Sequence, residues 1–313
     1  MVENRSLEKG TVISFGVFDG VHIGHQSLIR RMLVCLDRMN RAGKLGVETV
    51  VITFDPHPAL STSGKAPPLI TTLTKKIELL KSLGIDKIVV EDFNEQFSQL
   101  LPEEFVRDIL IGRLNARYII VGYDCAFGKD RAGDKKLLKK LGEQYGVIVE
   151  IVEPYDFKGE IVSSTRVRNA ILKGELELAN ALLGRPYSIL GIVESGKGIG
   201  HKIGYATANL NTPDEVLPPS GVYAAKVSIE RQFYDAVINM GTQPTFGDGQ
   251  FRIEAHLLDF GGGELYGLNM EVFLVKNIRE ERIFPSPEEL AKQIEKDKLT
   301  ARQILDRDWR IQD

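Results

Sequence analysis

The sequence predicts a two-domain chain: an α/β domain with a parallel sheet over residues 1–183, then an antiparallel β domain over 184–313 that ends in a helix. Three observations lead there. The 313-residue length exceeds what one hydrophobic core usually serves. Through the first half, continuous apolar β-rich runs alternate with helical patterns, as in a sheet covered on both faces. After Gly184-Arg185-Pro186 that alternation stops, and short strand-like runs divided by Gly- and Pro-rich turns replace it.

In order, Thr11 to Val17 reads as the first strand and Gly24 to Arg41 as the helix that follows it. Val47 to Phe54 is the next strand, and Thr74 to Leu83 the next helix. Lys87 to Glu91, a helix opening at Pro102-Glu103-Glu104, and the strand Arg117 to Val121 come next. A Lys-rich helix from Asp134 to Tyr145 and the strand Val147 to Val152 complete the pattern. Its lysine pairs at 135–136 and 139–140 read as a solvated face. In the second half, strand-like runs fall near Ser188 to Glu194, Val222 to Ile229, Tyr234 to Met240, Arg252 to Asp259 and Met270 to Val275. That spacing suits an antiparallel barrel or sandwich. Ser286 to Arg310 returns to helix, with Pro287-Glu288-Glu289 as its first turn. Phe251, Phe260 and Trp309 read as core residues.

Composition narrows the function classes. A net charge of -3 supplies no broad basic excess, which argues against a general nucleic-acid binder and leaves room only for local basic clusters at phosphates. No stretch approaches the ~18 apolar residues of a membrane span, and MVENRSLEKG does not resemble a signal peptide. Two cysteines, Cys35 and Cys125, make no disulfide framework and no Cys-x-x-Cys pair. A cytoplasmic protein is expected, monomeric or weakly oligomeric, with no nucleic-acid or membrane partner.

In a parallel sheet, ligands sit beyond the carboxyl ends of the strands. Gly16-Val17-Phe18-Asp19-Gly20-Val21-His22-Ile23-Gly24-His25 lies there, between the first strand and its helix. A helix N-terminus favours phosphate, and Gly16, Gly20 and Gly24 would let the backbone approach a ligand closely. His22 and His25, three residues apart, can converge on one spot. Two imidazoles there can stabilise the charge that rises on phosphate oxygens and leaving pyrophosphate during in-line attack. A metal-binding His-x-x-His or an ordinary tight turn are the alternatives; no third ligand at matching spacing supports the metal.

Other segments fall at the same edge. Asp55 and His57 end the second strand, and Asp124 ends the strand from Arg117. Ser163, Ser164 and Thr165 precede a helical run, where hydroxyls cap the helix or hold phosphate. Arg166 and Arg168 add cationic donors. Taken together, these segments resemble the HxGH nucleotidyltransferases, and specifically the prokaryotic bifunctional riboflavin kinase/FAD synthetases. Phe18 to His25 looks like the first signature of that family, and Thr53-Phe54-Asp55-Pro56-His57-Pro58 like its companion. Val121 to Asp134 and Ser163 to Arg168 are similar to its second and third adenylyltransferase motifs. The resemblance implies a Rossmann-like nucleotidyltransferase domain followed by an antiparallel β-barrel riboflavin kinase domain with a terminal helix. It implies His22, His25, Asp124, Ser164, Thr165 and Arg168 as catalytic. It implies nucleotide or flavin contacts at Gly16, Phe18, Asp19, Gly20, Gly24, Asp55, His57 and Ser163. Cys125, Ala126 and Ala59 depart from the family pattern.

The likeness covers almost the whole chain. Gly196-Lys197-Gly198-Ile199-Gly200 reads by itself either as a Gly-rich phosphate loop or as a flexible surface loop. Ile203 to Asn209 resembles the riboflavin kinase signature, which implies Thr207 and Asn209 as Mg²⁺ and ATP ligands, with Gly198, Gly200 and Gly204 at the phosphates. Oxygen ligands of this type suit Mg²⁺. Ala206 replaces the usual proline and His201 a common arginine, so weaker ATP affinity is expected there. Along Arg252 to Asp259, alternation puts Ile253, Ala255 and Leu257 on one face and Glu254 with His256 on the other. Glu254 is either a surface or salt-bridged glutamate or, as the resemblance implies, the base for the riboflavin 5′-hydroxyl.

The expected activity is thus phosphorylation of riboflavin by ATP to FMN, then adenylylation of FMN to FAD with release of pyrophosphate. FAD synthesis with a weakened kinase is one alternative, and a non-catalytic flavin-binding regulator another. With the family set aside, an HxGH adenylyltransferase for a phosphopantetheine-like or nicotinamide mononucleotide acceptor fits the first domain but leaves the second unexplained.

Overall fold

A computed structural model describes residues 10–43, 46–194, 207–211, 215–242 and 251–309. The chain divides into two compact units, residues 1–164 and 165–313.

The first unit is built on a five-stranded parallel sheet of β1 (Thr11–Phe15), β2 (Glu48–Asp55), β3 (Lys87–Asp92), β4 (Ala116–Gly122) and β5 (Ile148–Val152). Their spatial order is β3-β2-β1-β4-β5, and every pair is parallel. The order reverses beside β1, so the carboxyl end of β1 is the topological switch point where such sheets bind ligands. Alternation along the strands sorts their side chains into two cores. Ile13, Phe15, Val50, Ile52, Ile119 and Val121 enter one cluster. Val12, Val51 and Ile120 enter the other, against Leu28, Ile29, Met32 and Cys35 of α1 (Ile23–Arg41). Each such side chain contributes about 1.5–3 kcal/mol relative to exposure. Helices α2 (Leu73–Ser82) and α3 (Lys135–Tyr145) follow the expected pattern, and the four lysines of α3 at 135–136 and 139–140 are exposed. Asp134 caps α3 by accepting from the Lys136 and Leu137 N–H groups, at 3.0 and 2.8 Å.

Helix α4 (Ser164–Leu172) begins on the last residue of the first unit, and the second unit goes on through α5 (Leu176–Leu183) to a closed barrel. Its strands are β6 (Ser188–Glu194), β7 (Thr207–Asn211), β8 (Gly221–Ile229), β9 (Gln232–Thr242), β10 (Phe251–Leu257) and β11 (Asn269–Arg279). They run in the order β6-β7-β10-β9-β8-β11, and β11 pairs back to β6 with every pairing antiparallel. The strand-like runs read from the sequence pass over Thr207 to Asn209, whereas these residues form strand β7. Their short alternation becomes a strand through its pairing with β10, which lies more than 40 residues away. Phe251 is another correction: it is 43 % exposed at the start of β10. Trp309 does pack, against Phe233 and Phe273.

Terminal helix α6 (Pro287–Asp308) lays Ala301 and Leu305 against Val222, Ala224 and Val237 of the barrel. A charged clamp fixes it. Arg279 donates from Nε to both Asp297 oxygens at 3.1 Å and from Nη2 at 2.8 Å, and Gln293 donates to Asp297 at 2.7 Å. Asp297 is only 3 % exposed. Removing one member of a buried pair leaves the other charge uncompensated. Arg279→Met is therefore expected to destabilise the second unit by about 3–5 kcal/mol in urea unfolding. The double change with Asp297→Leu recovers most of that loss, because it removes the stranded charge too.

Candidate active sites

The first site forms where β1 ends. The chain turns through Asp19–Val21 into α1, and His22 is the N-cap. Its Nδ1 accepts the His25 backbone N–H at 3.3 Å, so in the neutral ring the proton belongs on Nε2, as a donor. The two imidazoles stack, with centroids 3.6 Å apart and planes 15° from parallel. Gly24 leaves room for this stack: a Cβ there would come within 3.1 Å of His22 Nδ1, a tight contact.

The loop is held under strain. Phe18 and Val21 have φ of 52° and 41°, and Val21 is β-branched, for which this region is a clear outlier. Gly20, at φ 81°, sits under Ile70. What over-determines the loop is Asp19, 2 % exposed, whose carboxylate accepts from the Ile70 and Thr71 N–H groups at 3.0–3.1 Å. Gly20 N–H returns a bond to Thr71 Oγ1 at 3.1 Å, and Gln26 Nε2 holds the Val21 carbonyl at 3.0 Å. Phe18 is likewise buried and lies against the His25 ring. Asp19 and Phe18 thus shape the turn from beneath.

The third motif reaches the same turn. Ser164 Oγ donates to the Asp19 carbonyl at 2.8 Å, and the Val162 carbonyl lies beside Gly24. Ser163 directly precedes this bond, and Gly16 packs against the Phe18 ring. Thr165 and Arg168 follow on α4, three residues apart and so on one helical face of the second unit. Asp55 is exposed at the end of β2. His57 caps the short helix Pro58–Ser63, its Nδ1 accepting the Ala59 N–H at 3.1 Å. Asp124 is exposed in the turn after β4; burial, then Asp124, pushes the neighbouring Cys125 thiol up to about 12, so it stays protonated.

Burial lowers the His25 pKa well below 6.5, and the His22 and then Lys76 charges act in the same direction. His25 Nδ1 is enclosed and has no hydrogen-bond partner among the described residues. A histidine with a depressed folded-state pKa adds stability that is complete above the unfolded value and lost as pH falls through the folded one. Urea midpoints of the first unit are therefore expected to drop on acidification below about pH 6.5, and His25→Gln to flatten that slope.

The second site is a row across three barrel strands. Glu254 of β10 stands opposite Asn209 of β7 on one side and Asn239 of β9 on the other. All three are partly buried, while Ala208, Ala255 and Ile238, one residue on, are fully buried on the opposite face. The expected face for Glu254 and His256 is the one observed. Asn209 Oδ1 is enclosed without a hydrogen-bond partner among the described residues, an amide oxygen that fits a hard cation such as Mg²⁺. Thr207 pairs with His256 in the same ladder. Gly198, Gly200, Gly204, His201 and Ala206 lie outside the described residues.

Two charged residues escape sequence reading. Lys76, 4 % exposed, donates to Thr53 Oγ1 at 3.3 Å. Its signal is positional: it lies four residues before Leu80, on the stripe α2 buries. Glu281, after β11, covers Gly241 so closely that a Cβ there would overlap its carboxylate. Burial raises its pKa, against a hydrogen bond from Asn239 and the Arg279 charge.

Among the described residues no cluster of three or more His, Cys, Asp or Glu could hold a metal ion, and no helix is long and apolar enough to cross a membrane. The chain matches two family models, FAD synthetase over residues 4–166 and riboflavin kinase over 183–305. It is 40 % identical over 300 residues to the bifunctional riboflavin kinase/FMN adenylyltransferase of Buchnera aphidicola subsp. Schizaphis graminum, covering 94 % of this chain and 93 % of that one. It is 37 % identical over 304 residues to the Escherichia coli K12 protein of the same description, covering 96 % and 95 %. A crystal structure from Streptococcus pneumoniae, described as a macrolide-efflux protein, is 31 % identical, with a TM-score of 0.83 over 96 % of each chain.

Proposed function

The chain belongs to the family of bifunctional riboflavin kinases/FMN adenylyltransferases, and from that premise we propose how its own residues divide the two reactions. The enzyme phosphorylates riboflavin with ATP and adenylylates the resulting FMN with a second ATP. We place the division between the two activities at residue 184.

At the barrel, Glu254 takes the proton from the riboflavin 5′-hydroxyl as that oxygen attacks the γ-phosphorus of ATP, giving FMN and ADP. Asn209 and Thr207 would hold Mg²⁺, which when bound would neutralise charge on the phosphates. Gly198, Gly200 and Gly204, which lie outside the described residues, are assigned to those phosphates on the family resemblance. The row Asn209–Glu254–Asn239 supports this reading, because it sets a carboxylate between two amides beside an unsatisfied oxygen.

At the parallel sheet, a phosphate oxygen of FMN attacks the α-phosphorus of ATP and pyrophosphate leaves. His22 and His25 donate to the phosphate oxygens as charge builds, with Ser164, Thr165 and Arg168 assisting. Gly16, Gly20, Gly24 and Ser163 shape the phosphate cradle, while Asp55, His57 and Asp124 line the edge where FMN arrives. The stacked histidine pair on a strained, pinned turn carries this assignment. The enzyme works in the cytoplasm on small molecules, as a monomer or weak oligomer.

Incubation of the purified chain with riboflavin, ATP and Mg²⁺ is expected to yield both FMN and FAD. Neither product forming would overturn the assignment. FAD from supplied FMN but nothing from riboflavin would select a chain with an inactive kinase.

A further inference from the structure

Lys76 is a lysine on the apolar stripe of a helix, where leucine or methionine would cost far less. An ammonium is strongly hydrated, so burying it to 4 % exposure requires compensation. Its hydrogen-bonding partner, Thr53 Oγ1, itself donates to the Val17 carbonyl at 3.0 Å. The lysine thereby joins the end of β2 to the loop that leaves β1. Two carboxylates act on it, first Asp19 and then Asp55, which oppose the effect of burial on its proton. Asp19 is the residue that pins the strained turn, and Asp55 ends β2. On the other side, the Lys76 charge reaches His25. One buried cation therefore connects the turn after β1, the end of β2 and the second motif histidine.

The reaction at this edge brings a phosphate monoester onto a triphosphate, so negative charge is concentrated there. A fixed positive charge in a site shielded from water stabilises such charge without reorganising during the reaction. We propose that Lys76 is a positioning residue for adenylyl transfer: tied to Thr53, which in turn holds the Val17 carbonyl, its ammonium sets the placement of the loop after β1 against the end of β2 and supplies a fixed positive charge within electrostatic reach of His25. The proposal rests on assigning adenylyl transfer to this site. The ammonium also favours a neutral His25, since the cation opposes its protonation in the same direction as His22 does.

The groups facing His25 that decide its titration are the stacked His22, the Phe18 ring and Lys76, with Asp19 and Asp55 around the lysine. Removing the ammonium leaves both carboxylates unopposed, so His25 protonates at higher pH. The test measures FAD formation from supplied FMN and Mg·ATP across pH, on the full chain. Wild-type FAD formation in this assay checks the site assignment independently of any Lys76 variant. In the Lys76→Met variant kcat falls about 10- to 100-fold with KM for ATP changed less than about 3-fold, as expected for lost placement rather than lost binding. The acid limb of kcat moves to higher pH. FMN formation from riboflavin by the same chain stays within about 2-fold and reports that the second unit is intact. Unchanged kcat would overturn the proposal. So would a lowered kcat with an unmoved acid limb, which marks a purely structural lysine. Thr53→Val, which removes the anchoring hydroxyl at nearly constant volume, gives a loss of about 5- to 10-fold with the same direction of pH shift. If Lys76→Met does not fold, this variant decides alone, and a wild-type rate and profile from it overturns the proposal.

Discussion

His22→Ala is expected to lower FAD formation from FMN and ATP by about 10²- to 10³-fold, the loss of one preorganised donor to developing charge. FMN formation from riboflavin should be unaffected. Two consequences of the substitution have to be separated. His22 also caps α1, and losing a cap costs about 0.5–2 kcal/mol of stability. His22→Asn separates them, since asparagine caps well but presents no imidazole Nε2–H. Its thermal unfolding is expected to match the parent while its FAD rate matches His22→Ala. Recovery of the rate by asparagine would mean that the histidine acts on the helix and not on the phosphates. The stack adds a further expectation: His25→Ala costs a comparable factor, and the double variant costs less than the product of the two.

Glu254→Gln is expected to produce the complementary pattern. FMN formation falls about 10²- to 10⁴-fold, the usual contribution of a general base, with KM for riboflavin nearly unchanged. FAD formation from supplied FMN persists. The substitution is close to isosteric, and the flanking Asn209 and Asn239 can bond an amide as well as a carboxylate, so the barrel keeps its stability. A variant that forms FMN at the parental rate would remove Glu254 from the mechanism.

Much of this was legible in the sequence because it is local. Continuous apolar runs such as Val50 to Ile52 announce a doubly covered sheet, and His22 and His25 lie within one turn of each other. Alternation along β10 placed Glu254 correctly because period two is set by backbone geometry alone. What escaped depends on distant pairing. Strand β7 has too little pattern of its own and is defined by β10. That Asp19 pins the turn is a second case, since only the return of the chain at Ile70 and Thr71 reveals that its oxygens hold backbone. Lys76 was hidden because helical periodicity marks its place as apolar while its chemistry marks it as exposed, and the conflict resolves only against Thr53.

The closed barrel has a consequence for how the enzyme comes into being. Its strand order joins segments far apart in the chain: β7 to β10, and the last strand, β11, to the first, β6. Pairings of such long sequence separation form late, after local hairpins such as β8–β9. The Asn209–Glu254–Asn239 row cannot exist until β10 has been inserted between β7 and β9. A chain still emerging from synthesis therefore has no assembled base and no means to spend ATP on riboflavin. During refolding, FMN production should lag behind the appearance of secondary structure, so that turnover itself times the insertion of β10.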